Sequence, residues 1–201
     1  MVSKPPMRPR LAALALTAAL ASLACGPSAP TVKSSDQIVP QHISTPAGVS
    51  FSTVCTPTGP EICFNAVDDN CNGVFDEGCG IQSGVLQWEI AWGDSPALVE
   101  LRVTDPAGDR LSDANRSTPS GLHLDHVCPK DGCHGQNVEN VYFEGNDPPK
   151  GHYTVEVKLL DPKGATLPLK VQFGWKVGAR SSSTLLEIAS PDDQKEFAFE
   201  L

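Results

Sequence analysis

Tyr153-Thr154-Val155-Glu156-Val157-Lys158-Leu159 sets an apolar side chain at every odd position and a polar one at every even position. Successive side chains of an extended chain point to opposite faces, so the pattern predicts a strand with one face buried and one in water. The same period recurs on either side. Leu86, Trp88, Ile90 and Trp92 alternate with Gln87 and Glu89, and Ala97, Val99, Leu101 and Val103 with Glu100, Arg102 and Thr104. Leu169, Val171, Phe173 and Trp175 alternate with Lys170, Gln172 and Lys176, and Phe197, Phe199 and Leu201 with Glu196 and Glu200. Shorter strand candidates lie at 122–127, 138–143 and 184–189. Turn chemistry separates them at Asp105-Pro106-Ala107-Gly108, Asp147-Pro148-Pro149-Lys150-Gly151 and Asp161-Pro162-Lys163-Gly164. Seven or eight short strands with no competing helical period predict a mainly β fold, an antiparallel β-sandwich over residues 80–201. Trp88, Trp92 and Trp175 fall on apolar faces and read as core, not as a sugar-binding platform.

Ahead of the sandwich, residues 55–79 read CTPTGPEICFNAVDDNCNGVFDEGC, with Cys55, Cys63, Cys71 and Cys79 eight residues apart. Four cysteines allow three pairings, and the spacing chooses none of them. Two disulfides would stabilise a module far too small to own a core. Inside it Asp68, Asn70 and Asn72 take positions 1, 3 and 5 of a loop. Gly73 permits a sharp turn, Val74 offers a carbonyl, and Asp76 and Glu77 close the loop. Alternate spacing turns successive oxygens into one cavity, which suits a hard cation needing six to eight of them. The expected ligand set is Asp68, Asn70, Asn72, Val74, Asp76 and Glu77, and the expected ion is calcium. The loop stops short of the EF-hand Glu and carries two neutral Asn ligands, so affinity should be weak, roughly 10⁻⁴ to 10⁻³ M. Copper fits less well, because the loop has no Met or His and its cysteines are expected in disulfides.

The first 24 residues read as a signal peptide. MVSKPPMRPR is a positive n-region, and residues 11–24 form an uncharged apolar run too short to span a bilayer. The run ends at Ser22-Leu23-Ala24-Cys25-Gly26, which resembles the lipobox of bacterial lipoproteins. That resemblance implies lipid on Cys25, attachment to a membrane, and, with Gly26 in place of Asp, outer-membrane retention in the cell envelope. Removing Cys25 from the seven cysteines leaves an even six: Cys55, Cys63, Cys71, Cys79, Cys128 and Cys133. Export favours oxidation, so Cys128 and Cys133 are expected to bridge. The alternative is a zinc cluster with His134, His123 and His126. Residues 25–54, rich in Ser, Pro and Thr and without a sustained period, read as a flexible, disordered tether.

The 15 basic residues include Lys4, Arg8 and Arg10. Without residues 1–25 the chain keeps 12 bases against 24 acids, a net charge of −12. Such a chain has no basic patch to displace phosphate counterions, which argues against a nucleic-acid partner. It also lacks any nucleophile–base constellation such as G-x-S-x-G or H-E-x-x-H, so it reads as non-enzymatic.

Two further resemblances bear on function. Residues 61–79, EICFNAVDDNCNGVFDEGC, resemble the metal-binding motif associated with the MopE copper-binding family. Ala66 stands where that family has Gly, and Asn70 where Asp is common, which lowers the charge offered to a cation. Residues 86–176 resemble the YfaP-like domain. The likeness lies in Leu101-Arg102-Val103, Pro106-Ala107-Gly108, Glu139-Asn140-Val141-Tyr142 and Pro149-Lys150-Gly151-His152-Tyr153. It implies a secreted β-sandwich. The expectation is an envelope lipoprotein with a calcium-stabilised interaction or adhesion module, its partner an envelope protein or a glycan. The MopE resemblance implies the alternative, a metal-capture protein.

Overall fold

The computed structural model describes Met1 and residues 35–52, 54–126 and 136–201. Among them lie a short 3₁₀ turn at Ser35–Gln37 and ten strands. These are β1 (His42–Ser44), β2 (Leu86–Ala91), β3 (Leu98–Thr104), β4 (Arg110–Leu111), β5 (Leu122–Asp125), β6 (Val138–Phe143), β7 (His152–Asp161), β8 (Leu169–Val177), β9 (Arg180–Ile188) and β10 (Lys195–Glu200). They form two five-stranded sheets, ordered β1-β10-β7-β3-β4 and β5-β6-β2-β8-β9. Every pairing is antiparallel. The mainly β sandwich expected from the period-two pattern is the fold.

The inward positions of both sheets meet in one core. Phe173 of β8 stacks on Phe197 of β10 with centroids 4.3 Å apart, and Trp88 of β2 lies 5.6 Å from both Tyr153 and Phe199. Trp88, Trp92 and Trp175 are all buried, as their strand positions required. The Tyr153 hydroxyl donates to Pro149 O at 2.6 Å, so its polar end is satisfied. Turn acids fix the loops: Asp105 Oδ1 accepts the N–H groups of Ala107 and Asp109, each at 2.9 Å.

Gly178 makes the β8–β9 hairpin possible. Its φ of 62° is left-handed, and a Cβ there would sit 2.0 Å from Ile38 O. The tight turn sets Ser181 opposite Lys176 and extends β9 back to Arg180, well before the Thr184 start read from apolar pattern.

Two expectations need correction. The tether assigned to 25–54 does not hold for its described part, 35–52. There β1 pairs with β10, Ile43 opposite Phe199, and Phe51 packs 5.5 Å from Trp175 and 5.7 Å from Phe197. A three-residue edge strand and one partly buried ring suffice to fix a segment whose composition is otherwise that of a linker. Strand β2, read as half-buried, is buried on both faces, because residues 55–79 cover the side bearing Gln87 and Glu89.

Cys25, Cys128, Cys133 and His134 lie outside the described residues, as does the apolar run 11–24. No described helix is long and apolar enough to cross a membrane.

Candidate metal site

The cysteine frame closes as Cys55–Cys71 and Cys63–Cys79, two interleaved bridges of equal sequence separation. Interleaving folds 55–79 back on itself and brings Glu61 and Asn65 against the 68–77 loop. Asp68 Oδ1 accepts the Asn72 N–H at 3.0 Å, and its Oδ2 accepts the Gly73 N–H at 2.8 Å. Asn70 Oδ1 accepts the Asn72 N–H at 3.0 Å, and Asn72 Oδ1 the Val74 N–H at 2.9 Å. Short Asx side chains bonding backbone groups just ahead of them coil the loop without any regular structure.

Asn70 Nδ2 and Asn72 Nδ2 both donate to Glu77 Oε1, so three of the expected ligand side chains end at one point. The other oxygen, Glu77 Oε2, is shielded from water and has no donor among the described residues. A half-turn of either amide would present its oxygen at the same point. Asp68 and the Val74 carbonyl belong to the same turn of chain. Among the described residues no three His, Cys, Asp or Glu side chains gather closely enough to hold a metal alone. The donors on offer are carboxylate, amide and backbone oxygens, a set that fits a hard cation and not a soft one.

Asp76, expected among the ligands, is placed elsewhere. It is fully buried and accepts the N–H groups of Asn65 and Ala66, each at 3.2 Å through Oδ2. Glu61 was not among the expected ligands, yet it organises the loop. Its Oε1 accepts the Asn70 N–H at 3.0 Å and its Oε2 the Asp76 N–H at 3.2 Å. Burial raises the Glu61 pKa, partly offset by the Asn70 N–H, and the nearby charges of Glu77, Asp68 and Asp69 raise it further. Its place in the E-x-C step that opens the motif is the one sequence signal that marked it. Asp69 is structural: burial acts against its charge, but donors from Asn65, Thr58 and Ile62 outweigh burial and hold its pKa below the ordinary range.

The module is seated on the sandwich. Ala66 and Phe75 are buried, and a Cβ on Gly174 of β8 would meet Ala66 O at 2.9 Å and the Phe75 ring at 3.1 Å. Only glycine at 174 lets the loop approach this closely. Beside that contact Gln87 Nε2 donates to Glu89 Oε2 and to Asn140 Oδ1, each at 3.0 Å, and Ser83 Oγ donates to Gln87 Oε1 at 2.8 Å. Glu89 Oε1 has no hydrogen-bond partner among the described residues. The Asp76 carboxyl lies close enough to act on the Glu89 charge. Burial first, then the neighbouring Asp76 carboxyl, push the Glu89 pKa well above the carboxylate range.

A raised acid pKa means stability that is complete below the unfolded value of 4.5 and is lost as pH rises through the folded value. Glu89→Gln keeps the shape and removes the titration. The melting temperature of the wild type relative to Glu89→Gln should therefore fall steadily as pH is raised above 4.5. A difference that stays constant with pH would mean that folding does not raise the Glu89 pKa.

The zinc alternative is divided among separate contacts in its described part. His123 Nε2 lies 3.1 Å from Glu144 Oε2, and His126 Nδ1 lies 3.1 Å from Asp125 Oδ2. His152 opens β7, as a strand start. Fold and loop together define a two-sheet β-sandwich carrying an interleaved-disulfide acidic module. No family model, curated protein or solved structure matches the chain.

Proposed function

We propose that the chain is a non-enzymatic cell-envelope lipoprotein whose β-sandwich, braced by calcium in the 68–77 loop, serves as an interaction or adhesion module. The observation that carries the calcium assignment is the convergence of Asn70, Asn72 and Glu77 on one point, with Glu77 Oε2 shielded and unpartnered. The ligands would be Asp68, Asn70, Asn72, Glu77 and the Val74 carbonyl, with Glu61 holding the loop in position. Envelope attachment rests on the n-region, the apolar run and Cys25 in the sequence, and the partner would be an envelope protein or a glycan.

A ligand that binds only the folded state raises its stability by about 1.4 kcal/mol at tenfold over Kd. For a domain of this size that corresponds to a rise of about 3–6 °C in melting temperature. Thermal unfolding in EDTA and then in millimolar Ca²⁺ should show this rise, and Glu77→Gln should abolish it. Equimolar Cu²⁺ should give none. A rise with Cu²⁺ that survives excess Ca²⁺ would replace calcium bracing with metal capture. No response to either ion would remove the metal from the reading.

A further inference from the structure

A cavity of about 590 Å³ opens at the side of the sandwich where β1, the edge of one sheet, meets β9, the edge of the other. Phe51, Trp175 and Ile43 give it apolar walls, and Gln41, Ser181 and Ser182 add polar groups. Among the described residues its titratable lining is His42 and Arg180, with no acid. In a chain of net charge −9 this is a local reversal of sign. Arg180 is exposed and has no carboxylate within ion-pair distance among the described residues. Trp175 is 6% exposed, and its indole N–H has no acceptor among the described residues.

We propose that this cavity binds a small ring-bearing organic anion. The ring lies against Phe51 and the exposed edge of Trp175, and the acid group pairs with Arg180. A cavity of this size, with apolar walls and a few converging polar groups, matches the general design of small-molecule sites. Arg is suited to the task because its planar fork takes an oxyanion in a bidentate way while its face stays compatible with rings.

The probe is 8-anilinonaphthalene-1-sulfonate, titrated into the folded full chain and followed by its fluorescence, with neutral Nile red as control. Saturable binding of one equivalent is expected. Arg180→Gln should weaken it about tenfold, the usual scale for a hydrogen bond to a charged group, and leave Nile red unchanged. In ¹H–¹⁵N spectra the Trp175 indole peak, assigned through Trp175→Phe, should shift on binding while those of Trp88 and Trp92 stay in place. Three results would overturn the proposal: no saturable binding, equal affinity in Arg180→Gln, or shifts confined to the other two indoles. Arg180 is an exposed hairpin residue, so its substitution tests binding without disturbing the fold.

Discussion

Replacing Phe75 with Ala should lower the unfolding free energy by about 3–5 kcal/mol, the usual range for deleting a buried aromatic ring. Phe75 is 1% exposed although it sits in a loop of a 25-residue disulfide module. Its ring fills the space above Gly174, where the sheet has no side chain of its own. Without the ring, Ala66 and the buried polar row of Gln87, Glu89 and Asn140 lose their cover, and water reaches their hydrogen bonds. The melting temperature should drop by roughly 10 °C, taking about 2–4 °C per kcal/mol. Ile62 is the control. It belongs to the same module but is 61% exposed, so Ile62→Ala should stay within about 0.5 kcal/mol of wild type. Equal effects of the two substitutions would show that the module is not seated on the sheet.

Removing one bridge should have an effect of similar size. The chain-entropy argument gives about 3 kcal/mol for closing a loop of some 15 residues, so Cys63→Ser with Cys79→Ser should destabilise by about that amount. The bridges interleave, and Phe75 lies between Cys71 and Cys79. Loss of the Cys63–Cys79 bridge therefore loosens the segment that presents Phe75 to Gly174. Combined with Phe75→Ala, the bridge variant should destabilise by clearly less than the two separate effects together, because both act through one docked segment. Full additivity would mean that bridge and ring act independently. Non-reducing peptide mapping supplies a direct check, since a peptide joining Cys55 to Cys63 would contradict the interleaved pairing.

Much of the sandwich was legible because its core strands obey period two. Val138–Phe143 was read with the same ends that it has in the fold, and β7 and β8 were read to within a few residues. What stayed hidden has identifiable causes. Strand β1 is three residues long, and its pairing with β10 is written in the partner's sequence, not its own. The front of β9 is Arg180-Ser181-Ser182-Ser183, which has no apolar period; the Gly178 turn makes it a strand. Gln87 and Glu89 read as solvent-facing because polarity marks a face as outer but does not say whether another segment lies over it.

The candidate metal loop was legible in part for a similar reason. Alternate spacing at Asp68, Asn70 and Asn72 is a local signal, and the loop geometry follows it. Asp76 could not be told apart from Glu77 by position. The Asn65 and Ala66 N–H groups that draw it away lie eleven and ten residues back, brought near by a bridge pattern the spacing left open. The same pattern gave Glu61 its position across from the loop.

The place of β10 between β1 and β7 constrains how the chain becomes a folded protein. Ile43, in the first strand, has Phe199, in the last, as its partner. Strand β1 has no ladder to join until β10, about 150 residues further along the chain, has been made. Such a long-range closure carries a large loop-entropy barrier and slows folding. Until then Phe51 has no Phe197 to stack on, and the β7 edge stands open to other chains. The newly made chain is therefore most prone to aggregate just before β10 arrives, and a chain cut short before Lys195 would stay in that state.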